Sequence, residues 1–176
     1  MARCYAFVGP DEVYALAQAG IARLHVQSRT RFADVLAALD LPRGTDELTV
    51  TYIVDADAAL WIADRHSEHV ACARGGQVRA AGELTIAPWR NGIEVLEATN
   101  QSTGYCPEPS CWHALAAALD QAGLARPDGF AHAFEFRRCP GCGTNAIVKD
   151  QDFHCAICGH PLPAAWNFAL PPEDPG

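Results

Sequence analysis

Leu48-Thr49-Val50-Thr51-Tyr52-Ile53-Val54 is the stretch that decides the fold. Leu48, Val50, Tyr52 and Val54 alternate with Thr49, Thr51 and Ile53, the period-two pattern of a β-strand. A turn at Asp55-Ala56-Asp57 follows, and Leu60-Trp61-Ile62 returns as a hairpin partner. Further along, residues 78–87 place Val78, Ala80, Gly82, Leu84 and Ile86 on one side of another strand. Asn91-Gly92 is a strong hairpin turn signal, and Ile93 to Ala98 makes the returning strand. Successive hairpins predict a mostly antiparallel sheet.

Helical patterns flank this β-rich centre. Residues 10–19 combine Pro10 at the first position with Asp11 and Glu12 in the first turn, and Gly20-Ile21 fits a C-terminal cap. A short strand is expected from Ile21 to Val26. Phe32, Val35, Leu36 and Leu39 recur at helical spacing over about 30–39. A third helix is expected from about Pro109 to Gly123, with Trp112, Leu115, Ala116 and Leu119 as its buried stripe. Phe130, Phe134 and Phe136 alternate along one more strand, on which His132 reads as a partly buried core residue. Trp61 and Trp112 read as core anchors, and His25 and His113 as residues without a chemical role. The expected fold class is α+β: an antiparallel sheet of four to six strands, three helices and a C-terminal metal module. The expected organisation is an α+β domain over 1–127, a strand plus the metal module over 128–168 packed on it, and a disordered tail over 169–176.

Composition narrows the function classes. The chain has 176 residues, 49% apolar and 19% charged, which excludes disorder throughout. The formal charge of −8 disfavours work centred on phosphate backbones. No apolar run approaches the ~18–20 residues that span a bilayer, and the N-terminal apolar stretch is too short for a signal peptide. A cytoplasmic location is the expectation.

The eight cysteines are Cys4, Cys72, Cys106, Cys111, Cys139, Cys142, Cys155 and Cys158. Four of them form two CxxC pairs, Cys139-Pro140-Gly141-Cys142 and Cys155-Ala156-Ile157-Cys158. Two intervening residues let both thiolates of a tight turn reach one ion while backbone N–H groups point at the sulfurs. Gly143 and Gly159 follow the pairs, and glycine accepts the positive φ with which such a turn ends. The insert reads as a hairpin: Ala146-Ile147-Val148 out, Lys149-Asp150-Gln151-Asp152 turning, Phe153-His154 back. Four thiolates around a tetrahedral ion select one structural Zn²⁺, and leave no open position for a catalytic water. Four unligated core cysteines, or a rubredoxin-like iron site, are the alternatives.

Residues 137–160 resemble a zinc-ribbon module of the four-cysteine type. The resemblance implies that Cys139, Cys142, Cys155 and Cys158 are the metal ligands. It names no activity, because zinc ribbons serve nucleic-acid binding, protein docking and plain stabilisation.

Between 65 and 105 lies a polar block: Arg65-His66-Ser67-Glu68-His69, then Ala80-Ala81-Gly82-Glu83, then Asn100-Gln101-Ser102-Thr103-Gly104-Tyr105. Residues 66–105 resemble a block of uncharacterised bacterial proteins, some of which sit near conflict or toxin systems. That resemblance implies that His66, Glu83, Asn100, Ser102 and Tyr105 come together. Read from the residues, four roles compete. The polar groups close loops by hydrogen bonds. Or they form a pocket with His66 or His69 as base, Glu83 as acid or orienter, and Asn100 and Tyr105 as donors to a substrate. Or a second zinc uses the HxxH pair His66 and His69, or Cys106, Cys111 and His113. Or the block is a docking surface. A nucleophilic Cys72 or Cys106 and a Cys106–Cys111 disulfide are further readings.

The leading functional expectation is a soluble zinc-binding protein acting as a non-catalytic interaction or adaptor module. Its expected partner is another protein, with no membrane and with nucleic acid disfavoured. Within 135–160, Arg137, Arg138 and Lys149 are offset by Glu135, Asp150 and Asp152. The alternative is an enzyme or ligand-binding protein built on the polar block.

Overall fold

The computed structural model of the chain describes residues 3–168. It is an α+β fold. Among the described residues, five antiparallel strands form the main sheet: β1 (Arg23–His25), β2 (Leu48–Asp55), β3 (Leu60–Asp64), β4 (Val78–Trp89) and β5 (Gly92–Ala98). Their order is β1-β3-β2-β4-β5. A separate two-stranded sheet joins β6 (Glu135–Arg138) to β7 (Asn145–Val148). The helices are α1 (Asp11–Tyr14), α2 (Phe32–Ala38), α3 (His69–Cys72) and α4 (Trp112–Gln121).

The alternation over 48–54 becomes the central strand. Val50, Tyr52 and Val54 lie opposite Leu84, Gly82 and Ala80 on β4, and Tyr52 and Val54 lie opposite Ile62 and Leu60 on β3. The other face is covered as well: Ile53 and Thr51 are almost fully buried, and Thr51 Oγ1 lies 3.2 Å from the carbonyls of both Arg65 and Ser67. Asp55 shapes the β2–β3 turn. Its carboxylate accepts the N–H groups of Asp57 and Ala59 and the indole N–H of Trp61.

The three expected helices are present. The first changes to a 3₁₀ turn over Ala15–Gln18, and α4 is preceded by a 3₁₀ turn over Pro109–Cys111. In α4 the buried positions are Leu115, Ala118 and Leu119, so the stripe takes Ala118 where Ala116 is expected. The stretch 64–77 is less irregular than its composition suggests, since α3 buries Val70, Ala71 and Cys72 against β2 and β3.

Three expectations are corrected. The strand before the first CxxC begins only at Glu135, because Ala131 is drawn to the Ala98 carbonyl and His132 bridges to Thr99 beyond the end of β5. His132 is therefore exposed and is not a core residue. Trp61 packs against the main core but is only half-buried, not a fully buried anchor, and is stacked on His25 with ring centroids 4.8 Å apart. Third, the expected turn over Lys149–Asp152 is present, closed by the Asp152 N–H on the Lys149 carbonyl, but β7 pairs with β6 and not with Phe153-His154. The first CxxC is itself the reversal, so the chain folds back on the segment before it. The tail expected over 169–176 lies outside the described residues, apart from which no helix is long and apolar enough to cross a membrane.

Candidate metal centre

Each CxxC pair sits in the loop of its own hairpin. In the first, Cys139 N–H donates to the Thr144 carbonyl and Gly143 N–H to the Cys139 carbonyl, both at 2.9 Å. In the second, Cys155 N–H donates to the His160 carbonyl at 2.9 Å and Gly159 N–H to the Cys155 carbonyl at 2.8 Å. The two turns are copies of one another, sixteen residues apart in sequence. Both end on a glycine in the left-handed region, Gly143 at φ 74 and Gly159 at φ 71. Leu162 N–H closes the second hairpin on the Phe153 carbonyl.

The hairpins face each other and bring the four sulfurs together. All four Sγ atoms lie within 4.8 Å of one another. The close contacts run between hairpins: Cys139 to Cys158 is 3.6 Å and Cys142 to Cys155 is 3.7 Å. Bonds of about 2.3 Å from a tetrahedral ion set its sulfurs about 3.8 Å apart, whereas a disulfide is about 2.05 Å. The cluster has the dimensions of the first. Cys139 and Cys155 are buried with Leu162, and Cys142 and Cys158 face solvent.

The electrostatics of the thiol set also call for a cation. Burial raises the Cys139 thiol, but the N–H groups of Cys142 and Gly141 and the sulfurs of Cys158 and Cys155 outweigh it and bring Cys139 to about 7. Cys158 receives the His160 N–H, yet burial and the three other sulfurs push it up to about 12. One thiolate forms readily and the next does not, because like charges a few ångströms apart resist ionisation. A divalent ion removes that conflict. The donor set is all sulfur, the geometry is closed, and both suit Zn²⁺.

The polar block is arranged differently. His66 is exposed, its ring nitrogen and backbone N–H both on the Asp64 carboxylate at 3.0 and 2.9 Å. His69 is half-buried and its Nε2 lies 2.9 Å from the Gly82 carbonyl, so that nitrogen carries the proton. Burial lowers its pKa despite this bond. Asn100 is fully buried; its amide nitrogen donates to Pro107 and Phe134 carbonyls and its oxygen accepts Phe134 N–H at 2.7 Å. Ser102 accepts the Tyr105 N–H, and the Tyr105 hydroxyl donates to the Gly76 carbonyl at 2.7 Å. Glu83 is half-buried on the β4 face opposite Leu84, across from Thr51. Among the described residues no hydrogen bond links any two of His66, His69, Glu83, Asn100 and Tyr105. His69, Asn100 and Tyr105 are held to backbone and His66 to the Asp64 carboxylate, while no hydrogen bond of the Glu83 carboxylate is seen among the described residues.

Three of the remaining four thiols are inert by environment, and the fourth, Cys4, is exposed. Burial pushes Cys72, Cys106 and Cys111 each up to about 12, which keeps them protonated at neutral pH. Cys106 belongs to a cluster with Phe136 and Phe168, Cys111 to the main core, and no disulfide joins them. Among the described residues the four-cysteine set is the one group of three or more potential ligands close enough to share an ion.

Residues outside the motifs hold the centre to the body. Arg138 Nη2 and Asn145 Nδ2 both donate to the Val8 carbonyl at 3.1 Å, and Asn145 also reaches the Thr103 carbonyl. Buried Arg137 donates to the carbonyls of Phe136, Pro163 and Ala164 and to Glu135. Their types give no warning of these partners, which lie up to 137 positions away.

Comparison with known protein families, with curated proteins and with solved structures yields no match to this chain.

Proposed function

We propose that this chain is a zinc-binding, non-catalytic interaction module, with one structural Zn²⁺ held by Cys139, Cys142, Cys155 and Cys158. The observation that carries the reading is the pair of matching CxxC hairpins, whose sulfurs stand 3.6 and 3.7 Å apart at the spacing of a tetrahedral tetrathiolate. Four sulfur ligands close the coordination shell, so the ion organises structure and does not activate water. Support for a non-catalytic role comes from the polar block, whose amide, hydroxyl and imidazole groups are committed to backbone partners. Free thiols throughout support a reducing compartment, the cytoplasm. The acidic charge favours a protein partner over nucleic acid.

Elemental analysis of the purified chain tests the reading. One zinc per chain is expected, falling to none in Cys155→Ser. Stoichiometric iron, or no metal with Cys139, Cys142, Cys155 and Cys158 all titratable in the native protein, overturns it.

A further inference from the structure

Two clefts meet along β7. One, of about 400 Å³, runs between Val8–Pro10, Thr103 and the first CxxC hairpin. The other, of about 600 Å³, runs from β7 to Ile157 on the second hairpin. Thr144 and Asn145 line both, and the larger is a groove between β7 and the second CxxC hairpin.

The floor of this groove is a strand with a free side. β6 and β7 make a two-stranded sheet, and β6 lies on one side of β7 only. The outer side of β6 is covered: the Asn167 side chain takes both the N–H and the carbonyl of Arg138, and Arg137 reaches the Pro163 and Ala164 carbonyls. Among the described residues no strand does the same for β7. An uncovered strand edge offers backbone donors and acceptors to an extended chain. Ile157, at 76% exposure, is the most exposed large apolar side chain among the described residues, and it stands on this groove.

Charge sets the chemistry of the occupant. Asp150 and Asp152 line this larger cleft, opposed by Lys149, and His154 is bonded to Asp152 at 2.6 Å; Arg138 lines the smaller cleft only. Cys155 also lines it, and a zinc tetrathiolate keeps excess negative charge. We propose that the groove receives an extended segment of a partner protein, added as a strand along β7, with an apolar side chain against Ile157 and a basic side chain toward Asp150. The charge argument rests on the zinc reading above.

The test uses the full-length zinc-loaded chain and a random twelve-residue peptide library displayed on phage. Enriched sequences are expected to alternate apolar with Lys or Arg. The synthesised peptide is expected to slow amide hydrogen exchange over 145–148. Ile157→Asp is expected to weaken its binding at least ~10-fold, as loss of a central contact does. Asp150→Asn, which tolerates the left-handed φ there, is expected to weaken it about threefold, with Trp89→Ala, an exposed apolar change elsewhere, leaving it unaltered. No enrichment, enrichment of acidic sequences, or binding indifferent to Ile157→Asp overturns the proposal. Zinc content is measured first: one zinc per chain with any of these results overturns the groove alone, and a chain without metal overturns the zinc reading as well.

Discussion

Gly82 lies where a second stretch of backbone crosses the sheet. A Cβ at this position would stand 2.1 Å from the Thr99 carbonyl oxygen, and that carbonyl is fixed by the Tyr52 hydroxyl at 2.9 Å. Neither backbone can yield, so Gly82→Ala is expected to cost about 3 kcal/mol or more, read by urea denaturation. The neighbouring His69 carries a pH dependence. Its folded pKa lies below the ordinary 6.5, so between the two values the unfolded chain binds more protons. His69 therefore contributes stability that is full above about pH 6.5 and is lost as pH falls toward the folded pKa. His69→Gln keeps a donor for Gly82 and should flatten that part of the stability profile. Alkylation at pH 8 offers another check: exposed Cys4 should react within minutes, whereas Cys72, Cys106 and Cys111 should stay unmodified in native protein by mass spectrometry. Asn100 shows what residue types conceal. Its identity suited a loop residue or a substrate donor, and only the fold brings Pro107 and Phe134 to it.

At the scale of elements, the two CxxC hairpins separate local from tertiary constraint. Gly143 and Gly159 have positive φ, but a Cβ at either meets no atom within 4 Å. Gly143→Ala and Gly159→Ala should each cost only the backbone strain, about 1 kcal/mol, and keep the metal, as zinc analysis and thermal melting would show. The alternation over 48–54 was readable because β2 pairs on both sides and its neighbours share its pattern. The partner of β7 was not. Periodicity reports which face a strand buries and says nothing about which segment lies beside it. The insert does turn at Lys149–Asp152, as its residues suggest, yet the reversal at Cys139–Gly143 is the one that gives β7 its partner, β6. The four-residue α3 escaped for another reason: one turn is too short to show a period.

For the whole molecule, the apolar nuclei are unequal. The main core runs through the five-stranded sheet, α2, α3 and α4, whereas the metal module has two small clusters, around Phe136 and around Leu162. Structural zinc sites contribute roughly 10–16 kcal/mol of apparent binding energy, far more than clusters of this size supply. Removing the ion with a strong chelator should therefore abolish hydrogen-exchange protection over 136–162 and leave the amides of β2, β3 and β4 protected. Simultaneous loss in both regions would show that sheet and module unfold as one unit. The grouping of the four cysteines was legible because two CxxC pairs keep a fixed local spacing. The seam between module and sheet was not, since it is made by Arg138, Asn145 and Trp166 reaching main-chain carbonyls.

That seam bears on biosynthesis. A ribosome delivers Val8 first, and the two side chains that occupy its carbonyl follow 130 and 137 residues later. Tyr5 and the Val8 N–H find Val78 and Gly104 earlier, but the Val8 carbonyl stays open until residues 138 and 145 have emerged. A copy cut short before residue 138 would therefore carry a paired first segment whose Val8 carbonyl lacks both of its side-chain donors.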